Sequence, residues 1–387
     1  MKNYKTIPLI CAYITYCSWV SLQFIYLPSY FVTILHASGK DVAMIFAGVT
    51  IINMLAQPIW GQLADSTQKL VNTMRWSVAL SLLPLLPLLW YHQFWVLFVC
   101  LWWLALCIAP MQSLLDTMTL GLVGMDGYGN IRLWGSIAYG SCAMLFPAQY
   151  LHWVLPGSLL CLLLCLTSLY FLREMPHPAP LPSRQIFFIE LMRNRPFVLL
   201  LLFGLVHWCS HTPYHMIMDI HRRDLLLGPH VTGYAVAAGI FGECMMLVLS
   251  PRWLPMAALR HWIMASAALS ALRWAVMSHA VSAPVFVGIQ VLHGFSYGVF
   301  FVASLAYLTQ IVPRHMIASG QTVFSAVVFG GGTIWGNIYT GVLLDCEGRG
   351  LLAFGAAACF ASMAVVLSLW IPPCRAHTAA ISPGNAA

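Results

Sequence analysis

Apolar residues run along this chain in long blocks, each broken by a short cluster of charge, proline, glycine or asparagine. A bilayer core is about 30 Å thick, so ~20 mostly apolar helical residues cross it. Twelve blocks reach that length: 7–29, 41–60, 71–91, 94–119, 132–150, 155–172, 197–218, 231–250, 260–279, 284–310, 318–342 and 350–371. The first follows Lys2 and Lys5 and superficially resembles a signal peptide. It is too long, and no small-residue cleavage site precedes the next block, so it is expected to be retained. The largest polar break, 173–195, contains Pro176, Pro178, Pro180 and Pro182. It divides the chain into a six-helix bundle over 1–172, a cytoplasmic linker over 173–195, a second six-helix bundle over 196–372 and a cytoplasmic tail over 373–387. The expected fold class is an all-α integral membrane protein with twelve transmembrane helices in two bundles. Equal halves suggest duplication around a midplane cavity. The halves show no sequence echo, so that inference rests on span count.

Composition agrees with this pattern. Of 387 residues, 60% are hydrophobic and 7% charged, against about 25% charged in soluble domains. That excludes an ordinary soluble protein, a disordered chain and a nucleic-acid binder. The formal net charge of +7 rests on only 18 Lys and Arg. With the N-terminus inside, inside segments hold Lys2, Lys5, Lys69, Arg75, Arg173, Arg184, Arg193, Arg195, Arg252, Arg260, Arg314 and Arg375. Outside loops hold only Lys40, Arg222, Arg223 and Arg349. The bias predicts both termini on the cytoplasmic side of the inner membrane. The 12 cysteines are scattered, mostly inside apolar runs and without a C-x-x-C, so neither a disulfide framework nor a metal cage is expected.

Two cations, Arg132 and Arg273, fall within or at the edge of spans. Charge inside hydrocarbon is costly enough to need a reason. Asp116 ends span four and Arg132 opens span five, and antiparallel neighbours could bring them together. Tyr139 is seven residues past Arg132, on the same helical face. A lone carboxylate, Glu243, sits mid-span in Gly239-Ile240-Phe241-Gly242-Glu243-Cys244-Met245 and is a candidate to take and release a proton. Arg273 and His293, from the next two spans, are its natural partners. Span seven holds His207, His211, His215 and Asp219 at four-residue steps, with Pro213 between. Each step drifts about 40° around the helix, so the row spirals. It reads as a proton relay or cavity lining at His207 and His211, as plain gate polarity at His215 and Asp219, or, more remotely, as a metal pair. Structural alternatives stand beside each reading: a static Asp116–Arg132 lock, and a Glu243–Arg273 salt bridge. Gly294, Gly298 and Gly330-Gly331-Gly332 read as small-residue packing.

Gly61-Gln62-Leu63-Ala64-Asp65, with Lys69 four residues on, resembles the cytoplasmic G-x-L-a-D motif of the major facilitator superfamily. The run Tyr128-Gly129-Asn130-Ile131-Arg132-Leu133-Trp134-Gly135-Ser136 and the early Leu27-Pro28 are most similar to phenylpropionate permeases, within the lactose-permease-like branch. Glu243, Arg273 and Leu292-His293 extend the likeness over essentially the whole chain. The resemblance implies two bundles rocking about a central site. It makes Asp116, Arg132 and Tyr139 substrate contacts, with His207 and His211 added from the span-seven reading. It makes Glu243, Arg273 and His293 the proton-coupling group, and Gly61, Asp65 and Lys69 a conformational motif. The sequence departs from that pattern at Ser296, where a further acid is expected, and at Gln290, where a lysine is expected, so the proton site does not carry over whole: Glu243 takes it, or Asp116 does, or transport is not proton-driven.

The function expected is secondary active transport of a small organic solute, as proton symport, with an aromatic carboxylate such as 3-phenylpropionate as first substrate. Alternatives are a sugar or nucleoside symporter, an exporter on the same fold, and a non-transporting membrane sensor. No Gly-rich phosphate loop, G-x-S-x-G or H-E-x-x-H occurs, so no enzyme is expected. No cofactor is expected beyond the proton gradient. The expected partners are the substrate and the lipid bilayer, with no nucleic acid, and the chain is read as a monomer.

Overall fold

A computed structural model describes residues 3–91, 93–146, 148–174, 187–313 and 316–374, without the side chains of 3–5, 65, 124–126, 148, 187–188 and 318. Among the described residues the chain is helical throughout, without a β-strand. Nine segments there are long and apolar enough to cross a membrane, from Thr6–Thr33 to Arg349–Ser368. The predicted spans 71–91, 132–150 and 260–279 are helical too, within Leu70–Leu88, Met111–Leu145 and Leu259–His279. Arg75, Arg132 and Arg273 lower their hydropathy.

One boundary differs from expectation. Residues 120–131 were expected to link spans four and five as a loop, but helix runs over the whole of Met111–Leu145. Arg132 Nε nevertheless lies 3.7 Å from Asp116 Oδ1. A straight helix would separate those residues by about 24 Å. The segment therefore turns back between them as two antiparallel legs, the arrangement the short connection predicted. Span five ends earlier than expected, at Leu145.

Helix ends are tied by side chains from other helices. Glu174 accepts from Val71 N at 3.0 Å and Asn72 N at 2.6 Å, capping Leu70–Leu88 at its electropositive start. Arg75 donates to the Leu169 and Leu172 carbonyls at the end of Val154–Tyr170. Asn194 accepts from Phe197 N and donates to the Ile311 carbonyl, joining the start of one helix to the end of another.

The broadest contacts between the chain before the linker and the chain after it are those of Gly39–Thr67 with Gly332–Leu344 and of Met111–Leu145 with Val231–Val248. At the 34–38 end the approach is backbone to backbone. A Cβ on Gly39 would collide with the Gly341 carbonyl, and one on Gly341 with Ala43. Asp345 Oδ1 accepts from Gly39 N at 2.6 Å across the same junction. A Ser38–Asp41 capping box completes that helix start. At the opposite end of Gly39–Thr67, Gln57, Pro58 and Gln62 are exposed.

Helical irregularities concentrate at mid-span. Wide turns interrupt the first helix at Leu22–Tyr26, span ten at Gly294–Val299 and span eleven at Ser325–Gly331. Span seven breaks into Arg195–Cys209, Thr212–Met216 and Met218–Asp224, with Pro213 in the first turn of the middle piece. Gly242 and Gly294 let spans eight and ten touch: a Cβ on Gly294 would meet the Gly242 carbonyl. Small-residue packing was the expected role of Gly294.

Candidate functional site

A cavity of about 520 Å³ lies between the two halves of the chain. Its wall takes side chains from the first, second, fourth and fifth spans and from spans seven, eight, ten and eleven. Gln57, toward the Gly61 and Lys69 end of its helix, lines it and is exposed.

Behind the wall before the linker, where Asp116 itself does not line the cavity, Tyr13 donates its hydroxyl proton to Asp116 Oδ1 at 2.6 Å. Gln112 Nε2 donates to both Asp116 oxygens at 3.1 Å, and Thr119 Oγ1 donates to the Tyr13 hydroxyl at 3.1 Å. These contacts hold the carboxylate without Arg132. The guanidinium is the looser partner, at 3.7 Å from Asp116 and 5.9 Å from the Tyr13 ring centroid. Its side chain is 36% exposed and, with Ser136 and Tyr139 on following turns, lines the cavity. Arg132 and Tyr139 thus share a wall, as their spacing predicted.

On the facing wall Glu243 and His293 line the cavity, with His293 Nε2 3.7 Å from Glu243 Oε2. The His293 ring is stacked between Tyr214, at 5.2 Å, and Tyr297, at 5.4 Å. Arg273 Nη1 lies 3.0 Å from His293 Nδ1. Arginine can only donate, so Nδ1 accepts, and hydrogen-bond logic places the imidazole proton on Nε2, facing Glu243. Arg273 is fully buried behind this pair. It donates to Gln290 Oε1 from Nε at 3.0 Å and from Nη2 at 2.5 Å, and to Ser296 Oγ at 2.9 Å. The faces of Trp274 and Tyr214 lie 4.1 and 4.7 Å from its carbon. The expected Glu243–Arg273 salt bridge is absent among the described residues, because His293 stands between them. Gln290 and Ser296, the two departures from the permease pattern, are the groups that satisfy Arg273.

Other predicted site residues lie elsewhere. His207 and His211 are buried behind the wall rather than facing the cavity. His207 Nε2 donates to the Ser296 carbonyl at 2.9 Å, and His211 Nδ1 donates to the His207 carbonyl at 3.1 Å. The break in span seven turns them into the core and brings His215 to the cavity instead. Asp219 is buried, accepting from Arg222, Arg223 and Thr232, and so ties Met218–Asp224 to the start of Val231–Val248. No metal-holding cluster occurs among the described residues. Gly61 and Lys69 lie at the helix junction 67–70, Lys69 exposed, while the side chain of Asp65 falls outside the described residues. Trp19, Gln23, Asn53 and Asn337 also line the cavity, and none carries a charge that would single it out in the sequence. An amide inside an apolar run, as in Ile51-Ile52-Asn53-Met54-Leu55, was the available signal.

Residues 7–354 match the MFS_1 like family. The chain belongs to that family. It is a multi-pass membrane transporter of the major facilitator type, and its relatives are transporters rather than enzymes. It is 25% identical to "Uncharacterized transporter YwbF" of Bacillus subtilis, over 80% of this chain and 79% of that one. It is 28% identical to "Maltose permease" of Geobacillus stearothermophilus, over 80% of each. The "Probable 3-phenylpropionic acid transporter" of Escherichia coli is 24% identical, over 70% of this chain and 76% of that one. The crystal structure of the nucleoside transporter NupG shares the fold, with a TM-score of 0.80 at 17% identity, over 95% of this chain and 98% of that one.

Proposed function

We propose that this transporter imports an uncharged, hydroxyl-bearing organic solute of the sugar or nucleoside class together with a proton. The observation that carries this reading is charge balance at the cavity. Arg132 faces the cavity beside its own carboxylate, Asp116, and Arg273 is shut behind the wall by neutral acceptors. A carboxylate cargo would therefore meet no unmatched cation. Gln23, Asn53, Gln112, Ser136 and Asn337 add neutral hydrogen-bonding groups, and Tyr16 and Tyr297 add aromatic faces. Similarity to a maltose permease and a fold shared with a nucleoside transporter favour the same class.

Glu243 is the proton carrier in this scheme. Protonated, it donates toward a cargo hydroxyl; deprotonated, it faces the His293 Nε2–H. Arg273 positions the ring. The halves 1–172 and 196–372 rock about the cavity, joined by the linker 173–195, with both termini in the cytoplasm of a cell whose inner membrane holds the protein as a monomer. The junction at Gly39, Gly341 and Asp345 then closes the outside face, and Gln57 marks an inward-open mouth. Gly61, Asp65 and Lys69 act at the opposite closure.

A second reading, import of an aromatic carboxylate, draws on similarity to a 3-phenylpropionic acid transporter and on the loose 3.7 Å tie of Arg132. The thermal unfolding midpoint of the purified protein separates the two. A ligand at a hundred times its Kd stabilises the folded state by about 2.7 kcal/mol. The midpoint should rise with maltose or uridine. A rise with 3-phenylpropionate alone would overturn the charge-balance reading.

A further inference from the structure

Four buried polar atoms on residues lining the cavity have no hydrogen-bond partner among the described residues: Trp19 Nε1, Asn53 Oδ1, the Tyr214 hydroxyl and His215 Nδ1. Folded chains ordinarily avoid such atoms; others are scattered through the described residues, among them Ser29 Oγ, Trp102 Nε1 and Trp262 Nε1, but these four share one cavity. Two come from each half. Trp19 lies in the first helix, where Tyr16 stacks on it at 5.8 Å, and Asn53 is in Gly39–Thr67. Tyr214 and His215 lie on the short piece Thr212–Met216. Their rings are held in place: Tyr214 stacks on His293 beneath Arg273, and His215 meets Phe24 of the first helix at 5.7 Å.

We propose that Trp19, Asn53, Tyr214 and His215 form a specificity-determining subsite that hydrogen-bonds the hydroxyl groups of the cargo. An indole N–H only donates and an amide oxygen only accepts, whereas a phenol and a neutral imidazole nitrogen can do either. The ligand that satisfies all four must offer donors and acceptors on uncharged groups. A hydroxyl does both. A carboxylate only accepts and would leave Asn53 Oδ1 unpaired. A site built this way rejects analogues that lack the hydroxyl, because its own polar atoms are then stranded. Because the four atoms come from both halves, one cargo molecule ties the halves together. This inference rests on the hydroxyl-bearing-solute reading and adds the residues that enforce it.

The test uses the full chain in membrane vesicles, with labelled uridine and labelled maltose as probes. Trp19→Phe, Asn53→Leu and Tyr214→Phe each remove one polar group and little volume. Each should raise the KM for the transported probe about three- to tenfold and change kcat little. Without ligand, the thermal midpoints of the purified variants should equal or exceed that of the wild type, since a stranded polar atom has been removed. KM values within twofold of wild type in all three variants would overturn the subsite. So would lowered midpoints without ligand, which would mean that these atoms are bonded within the protein. If the wild type moves neither probe, the cargo reading fails instead, and the midpoints still decide whether the four atoms are structural.

Discussion

Asp116 is held more firmly by neutral neighbours than by its countercharge. Tyr13 and Gln112 supply close hydrogen bonds, whereas Arg132 stands 3.7 Å away. Removing Arg132 therefore leaves no carboxylate stripped of donors, which is the usual reason that deleting one member of a buried pair is ruinous. Arg132→Ala should keep its thermal midpoint within a few degrees of wild type and lose cargo-induced stabilisation. Normal uptake by that variant would remove Arg132 from the site. Much of this chemistry was legible in the residues. Helical spacing placed Tyr139 with Arg132, and order along the chain paired Asp116 with Arg132 and Glu243 with His293. The partners of Arg273 were not legible, since its charge is met by an amide, a hydroxyl and an imidazole rather than by the carboxylate that charge pairing suggests. His207 and His211 were misplaced for a related reason. Four-residue spacing fixes a face on an unbroken helix, and span seven is broken immediately after them.

At the scale of elements, blocks of apolar residues located the long helices because a bilayer fixes span length, while the short helix Phe187–Arg193 fell inside the expected linker. The reversal between Asp116 and Arg132 read as a loop because Gly121, Gly127, Gly129 and Asn130 disfavour helix, yet helix runs through it. The wide turns in the first, tenth and eleventh spans were silent. The junction of Gly39–Thr67 with Gly332–Leu344 yields a prediction at this scale. Its backbones meet only because Gly39 and Gly341 lack side chains. Gly341→Val should hold that end apart and make cysteines placed at Ala37 and Glu347 react faster with a membrane-impermeant thiol reagent, in an otherwise cysteine-free background. Unchanged labelling rates would show that the junction does not govern closure.

The whole molecule brings a few ionisable groups, spread over some 160 residues of sequence, to the sides of one cavity. Arg132 is on one wall; Glu243 and His293 are on the other. Hydropathy counted the spans, but which charges share a chamber is a property of how the halves pack, and the halves carry no sequence echo to reveal it. The motif resemblance supplied the family. In the proposed reading, Arg132 beside Asp116 and Arg273 met by neutral acceptors favour a neutral hydroxyl-bearing solute over an aromatic carboxylate. The most direct test is accumulation of labelled uridine and maltose in energised vesicles, with and without an uncoupler, for the wild type and Glu243→Gln. The expected result is uphill, uncoupler-sensitive accumulation of one neutral probe by the wild type, with Glu243→Gln retaining exchange but losing accumulation. Accumulation that survives the uncoupler, or that persists undiminished in Glu243→Gln, would contradict a proton carried at Glu243.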